Sequence, residues 1–261
     1  MKFDKLSMAS IGKINYLMLL IFLLAISSCK LQVNVCDDFD TSKLSKIWRT
    51  DRMAANSLEL QTKIVRKGSG AAKITLHAGD VFEAGIGKSK NSERDELQEI
   101  KKLESVEEKK YQYSFSLFLP GSFPIVPVRL VIAQWKQHCG DNADCADDSP
   151  VLALRYTSGK FSIVMQTDSS KTKLYETYAD IRNKWLDFKF IIHFSRLSNG
   201  STEAWLNHEH IISYHGITCY SSNKGYTNPG HFYFKTGLYR DVMKEPMTIY
   251  IDEYCKKELM Q

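Results

Sequence analysis

Three stretches of this chain share one habit: every second residue can carry charge or move a proton. In Phe232-Tyr-Phe-Lys-Thr-Gly-Leu-Tyr239, the residues Tyr233, Lys235, Gly237 and Tyr239 alternate with Phe232, Phe234, Thr236 and Leu238. A strand sends alternate side chains to opposite faces, so two phenols and an ammonium share one side, opposite a mostly apolar row. Gly237 leaves room between Lys235 and Tyr239, as a glycine inside a strand does where a ligand comes close. In Leu130-Val-Ile-Ala-Gln-Trp-Lys-Gln-His138, the same alternation puts Gln134, Lys136 and His138 on one face and Val131, Ala133 and Trp135 on the other. In Ser92-Glu-Arg-Asp-Glu-Leu-Gln98, Arg94, Glu96 and Gln98 fall together. At its plainest Arg94 beside Glu96 is a surface ion pair of little value to stability. Held rigidly by Glu96, the same guanidinium can grip a carboxylate or a sulfate. Each row alone also describes a strand face wetted by solvent. Together they line one sheet face with Arg, Gln, Lys, His and Tyr, the chemistry needed to hold an acidic sugar chain.

The elements that must position these groups read as strands. Period-two runs occupy residues 111–119, 129–135, 151–156, 161–166, 187–195, 202–206, 232–239 and 247–254, with weaker ones at 58–65, 72–77 and 94–100. Turn residues separate several of them: Thr157-Ser-Gly-Lys160, Leu197-Ser-Asn-Gly200 and Asn207-His-Glu-His210. No convincing helical period appears. The charged stretch 101–110 reads as a loop or a single helical turn, and 214–230 as a long polar connection of the kind that often serves as a functional lid. About eleven strands without helical interludes predict an all-β fold, an antiparallel two-sheet sandwich or jelly roll. Composition agrees: 43% hydrophobic and 25% charged residues exclude a disordered, collagen-like or polytopic membrane chain.

Residues 1–28 read as an export signal, with a basic start and an eleven-residue apolar run from Tyr16 to Ile26. That run is short of the about 20 residues a membrane-spanning helix needs. Ala25-Ile-Ser-Ser-Cys29 resembles a bacterial lipobox, which makes Cys29 the expected lipidation site and 29–35 a tether to the domain at 36–261. The alternatives are a plain cleaved signal or a short anchor. The expected location is the bacterial cell envelope, lipid-anchored on the periplasmic or outer-membrane side, or secreted. The leader holds three lysines against one aspartate, so its removal lowers the formal charge from +5 to +3. That is too mild for a nucleic-acid binder. Membrane contact is expected only through the lipid, and the domain is expected to be a monomer.

Export permits disulfides. Cys139 and Cys145 bracket a short polar loop that a bridge would close, and Cys36 and Cys255 lie at the two ends of the domain, leaving Cys219 over. The pairing stays open at this level. No metal site is indicated, since Cys139 and Cys145 lack closely spaced partner ligands.

The three rows resemble, in order, the signature strands of jelly-roll polysaccharide lyases, the heparin lyase I and glucuronan lyase group with alginate lyases more distant. Ser92–Leu97 is similar to the family's Arg-x-Glu-Leu strand, Gln134–His138 to its Gln-x-His strand, and Tyr233–Arg240 to its Tyr-Phe-Lys-x-Gly-x-Tyr strand. The opening Cys36-Asp-Asp-Phe, the Lys184-Trp-Leu-Asp segment and the closing Thr248-Ile-Tyr-Ile-Asp extend the likeness over nearly all of the chain beyond the leader. One departure stands out: Lys136 occupies the place of the family's His, and His138 follows two residues later.

The resemblance implies a concanavalin-like β-jelly-roll and β-elimination on a uronate-containing polymer. It makes Arg94 and Gln134 the neutralisers of the uronate carboxylate and Tyr239 the acid, and also a candidate base. Lys136 or His138 is the other candidate base. Lys235 is placed to lower the Tyr239 pKa or to bind polymer, and Tyr233, Glu96 and Arg240 are expected substrate contacts. No cofactor is implied; a structural calcium occurs in some relatives but nothing here indicates one. The alternative function is a non-catalytic, lectin-like sandwich of the envelope, because this fold also serves binding modules. A glycoside hydrolase is disfavoured, since the acidic run around Glu93 lacks the paired-carboxylate spacing such sandwiches use.

Overall fold

Alternation along the chain becomes two stacked sheets. The computed structural model describes residues 32–51, 53–80, 92–140, 145, 149–168 and 170–260. The expected leader and the lipidation site Cys29 lie outside these. The described residues form sixteen strands: β1 (Asn34–Asp37), β2 (Trp48–Arg49), β3 (Leu58–Gln61), β4 (Ala71–Leu76), β5 (Ser92–Glu99), β6 (Ser105–Val106), β7 (Lys110–Phe118) and β8 (Leu130–Gln137), followed by β9 (Leu152–Thr157), β10 (Lys160–Gln166), β11 (Lys171–Thr177), β12 (Trp185–His193), β13 (Ser201–Leu206), β14 (Glu209–His215), β15 (His231–Asp241) and β16 (Met247–Leu259). One sheet runs β14-β13-β12-β7-β16-β4-β3, with β1 also on β16; the other runs β11-β10-β9-β8-β15-β5-β2, with β6 also on β15. Every strand pairing is antiparallel. The expected antiparallel jelly-roll sandwich is the fold observed.

The inward rows interdigitate as facing sheets must. Trp135 on β8 meets Tyr113 on β7 edge-on at 5.3 Å, Phe190 on β12 at 4.8 Å and Phe234 on β15 at 4.9 Å. Bulges change phase within strands. In β16 the pairing with β7 slips between Asp252 and Cys255, where Glu253 takes a positive φ of 53°. Ile249 and Ile251 point inward before the slip, and Tyr254 and Lys256 after it. Lys256 is thereby fully buried, and Nζ pairs with Glu99 at 3.1 Å.

Some expectations need adjustment and others hold. Asn34 and Val35, assigned to the tether, belong to β1 and pair with Lys257 and Lys256. Stretch 101–110 contains one 3-10 turn, Lys101–Leu103, before β6. Strand β14 takes up the first residues of the expected 214–230 connection. Cys36 lies opposite Cys255 in register and is bonded to it; Cys139 is bonded to Cys145, and Cys219 is a buried free thiol.

Candidate active site

Arg94, Gln134 and Tyr239 are at least 40 residues apart in sequence, yet register brings them together. Strand β15 is flanked by β5 and β8. Tyr239 lies opposite Arg94, Gly237 opposite Glu96, and Lys235 opposite both Gln98 on β5 and Gln134 on β8. These residues face away from the inter-sheet core, yet Glu96, Gln134 and Lys235 are each no more than 2% exposed. Polar groups so placed form a recessed floor.

Glu96 is the hub of that floor. Its Oε1 accepts from Gln134 Nε2 at 2.5 Å, and its Oε2 lies 3.6 Å from Arg94 Nε and 3.9 Å from Lys235 Nζ. The carboxylate orients an amide and balances two cations, which the low dielectric of a buried site makes necessary. With its oxygens turned to Gln134, Arg94 and Lys235, Glu96 positions these groups, where the sequence led us to expect a substrate contact.

Tyr239 is held between two guanidinium groups. Arg94 lies with Cζ 4.0 Å from the ring centroid and Arg129 with Cζ 4.4 Å away. Burial pushes the phenol pKa up, but the positive charges of Arg129 and Arg94 outweigh it and the net shift is downward. Arg129 is fixed in turn by Asp241, with Nε–Oδ1 at 2.9 Å. Lys235, expected to depress this phenol, is turned toward Glu96 and the ring of Tyr233, 5.5 Å away.

Arg129 escaped the sequence reading because strict alternation puts it on the wrong face. The β8 pairing with β9 slips between Val131 and Ala133, and β15 slips against β8 between Thr236 and Tyr239. Val131 consequently lies opposite Tyr239 and outside the core cluster that holds Leu130, Ile132 and Ala133. This corrects the grouping of Val131 with Ala133 and Trp135. Gly237 also has a different purpose from the one expected. Its φ is +140°, and a Cβ there would lie 2.3 Å from the Asp95 carbonyl oxygen. The glycine is required by the close approach of backbone β5, not by a ligand.

The remaining residues divide. Tyr233 lies opposite Lys136, six residues before Tyr239, which is roughly 20 Å along a strand. His138 follows the end of β8; its amide donates to the His231 carbonyl at 2.7 Å. Its ring sits edge-on to Tyr233 at 6.1 Å, with Nδ1 3.6 Å from Glu104 Oε1. Neither Lys136 nor His138 is brought to Tyr239. Arg240 is a correction too: it is fully buried, with its guanidinium on Glu93 at 2.8 Å and donating to the carbonyls of Glu245 and Met243. An arginine so enclosed holds the β15 end and cannot contact a polymer. Among the described residues, no group of three or more His, Cys, Asp or Glu converges as a metal site.

Comparison with known proteins gives the following. A family model described as polysaccharide lyase matches residues 39–254. A search of curated proteins found no match. Among solved structures, an endo-β-1,4-glucuronan lyase from the fungus Trichoderma reesei superposes with a TM-score of 0.64 at 14% identity, covering 80% of this chain and 91% of its own. The alginate lyase AlgAT5, from polysaccharide lyase family 7, gives 0.50 at 15% identity, covering 73% and 79%. A GH131 β-glucanase catalytic domain from Podospora anserina gives 0.55 at 11% identity, covering 87% and 93%. At these identities the structural likeness is one of fold, and the fold carries both lyases and a glucanase.

Proposed function

The chain belongs to the polysaccharide lyase family, and on that footing we propose that it cleaves a uronate-containing polysaccharide by β-elimination. The observation that carries this reading is Tyr239, a phenol with a lowered pKa set between Arg94 and Arg129 beside the Gln134–Glu96 pair. Arg94 and the second N–H of the Gln134 amide receive the uronate carboxylate and make the C5 proton more acidic. Tyr239, as phenolate, takes that proton. The electron pair left on C5 forms the C4–C5 double bond as the C4–O4 bond breaks, and the phenol returns its proton to O4. One residue acts as base and then as acid. Support for a single-tyrosine route comes from register: the β8 residue opposite Tyr239 is Val131, which has no proton to exchange. Lys136, His138 and Tyr233 then bind polymer farther along the sheet face. The two disulfides support action outside the reducing cytoplasm.

The test is incubation of the protein with glucuronan, heparin and alginate in parallel, following the ultraviolet absorbance of the unsaturated uronate. Absorbance growing on at least one polymer is the expected result. Binding with no cleavage on any of them would make the domain a lectin. New reducing ends without unsaturation would make it a hydrolase.

A further inference from the structure

A third arginine, Arg155, lies in the same cross-strand row as Tyr239, outside the proposed proton transfer. Arg155 on β9 lies opposite Val131 on β8, which lies opposite Tyr239 on β15, which lies opposite Arg94 on β5. One row across four strands therefore reads Arg94, Tyr239, Val131, Arg155. Arg155 is two strands from Tyr239, about 10 Å at ~4.8 Å per strand, on the side away from Arg94. Arg94 has Glu96 and Arg129 has Asp241 as counter-ions. The buried Nε of Arg155 has no hydrogen-bond partner among the described residues. Burial and the positive charge of Arg129 disfavour its charge. A buried, unpartnered guanidinium N–H is costly for the protein alone, and such costs persist where a ligand relieves them.

We propose that Arg155 is a second oxyanion subsite, which takes the carboxylate or sulfate of the sugar next to the one that loses its C5 proton. Resting on the lyase reading, it specifies the substrate further: a polymer with acidic groups on neighbouring residues rather than one alternating acidic and uncharged sugars. The Val131 surface between the two cationic positions offers no polar group and spans the gap between adjacent anions. Arg94 and Gln134 select the residue that reacts; Arg155 selects its neighbour.

The experiment compares Arg155→Gln and Arg155→Lys, each in full-length protein carrying Tyr239→Phe so that binding is read without turnover. The probes are polyglucuronate, the same polymer with about half its carboxyls reduced to alcohols, and a heparin-type sulfated chain. Arg155→Gln is expected to raise Kd about tenfold on the fully acidic polymer, with a smaller effect on the reduced one. Arg155→Lys should recover part of the loss. A loss on polyglucuronate identifies a carboxylate as the anion, and a loss confined to the sulfated chain identifies a sulfate. The melting temperature separates binding from structure: removing a half-buried guanidinium whose buried Nε has no partner among the described residues should leave the free protein equally stable or more so. An unchanged Kd, an equal loss on the reduced polymer, or a lower melting temperature with the affinity loss would overturn the subsite. Failure of the lyase reading looks different: the protein with Tyr239 and Arg155 intact would produce no unsaturated uronate from any acidic polymer.

Discussion

The Arg129 guanidinium lies against the Tyr239 ring, 4.4 Å from its centroid, although Arg129 precedes β8 and Tyr239 is near the end of β15. Arg129 is the leading cause opposing burial in the phenol's net downward shift. A reaction that needs the phenolate rises with pH through the phenol's folded pKa, below the ordinary tyrosine range near 10. Arg129→Gln removes charge that favours the phenolate and moves this rise toward alkaline pH. A pH–rate profile of both proteins checks the direction; superimposed profiles would detach Arg129 from the chemistry.

Tyr239→Phe keeps the ring between the two guanidinium groups and removes the one atom that exchanges the proton. Turnover should fall by at least about a thousandfold while polymer affinity changes little. Kinetics on the best polymer of the screen, with binding measured alongside, decide it.

Lys136→Ala and His138→Ala test the single-tyrosine route. Both residues lie near Tyr233 rather than Tyr239. Each change is expected to raise KM with kcat reduced less than about tenfold. A kcat loss as deep as that of Tyr239→Phe would restore a second base.

Gly237→Ala should both destabilise the fold and slow the reaction. The added methyl meets the Asp95 carbonyl oxygen at 2.3 Å in a conformation with φ at +140°. Relief requires β15 to move away from β5, which separates Tyr239 from Arg94. A cost above about 1 kcal/mol is expected in chemical denaturation, accompanied by lost activity.

Asp95 supplies a pH dependence of stability. Its Oδ1 accepts from the Ala54 amide at 2.6 Å, its Oδ2 has no partner among the described residues, and burial with repulsion from Asp80 raises its pKa to about 7. Between the unfolded value of 3.8 and about 7 the folded state binds more protons, so this group makes stability fall as pH rises across that window. Asp95→Asn keeps an acceptor for Ala54 and abolishes the charge. The variant should melt like the parent below about pH 4 and gain on the order of 2–4 kcal/mol above about pH 8. Melting curves across that range settle the sign.

Much of the fold and part of the site follow from local pattern alone. Alternation in 232–239 already separates Phe232, Phe234 and Leu238 from Tyr233, Lys235 and Tyr239, because a strand's side-chain period is two whatever surrounds it. The same period groups Arg94 with Glu96 and keeps Trp135 in the core. Strands β11 and β14 escape that reading: they are edge strands, polar on much of their length, and their identity rests on pairing to one neighbour rather than on a buried row. Tertiary structure alone decides where the period breaks and which strands become neighbours. The bulge near Val131 brings Arg129 to Tyr239 and sets Arg155 in the same cross-strand row, and the one at Glu253 turns Lys256 into the core toward Glu99. Close burial assigns Arg240 to Glu93 instead of to a polymer. Residue types determine what a side chain is able to do; register between strands distant in sequence determines what it meets, because those pairings are selected by the packing of the whole sandwich.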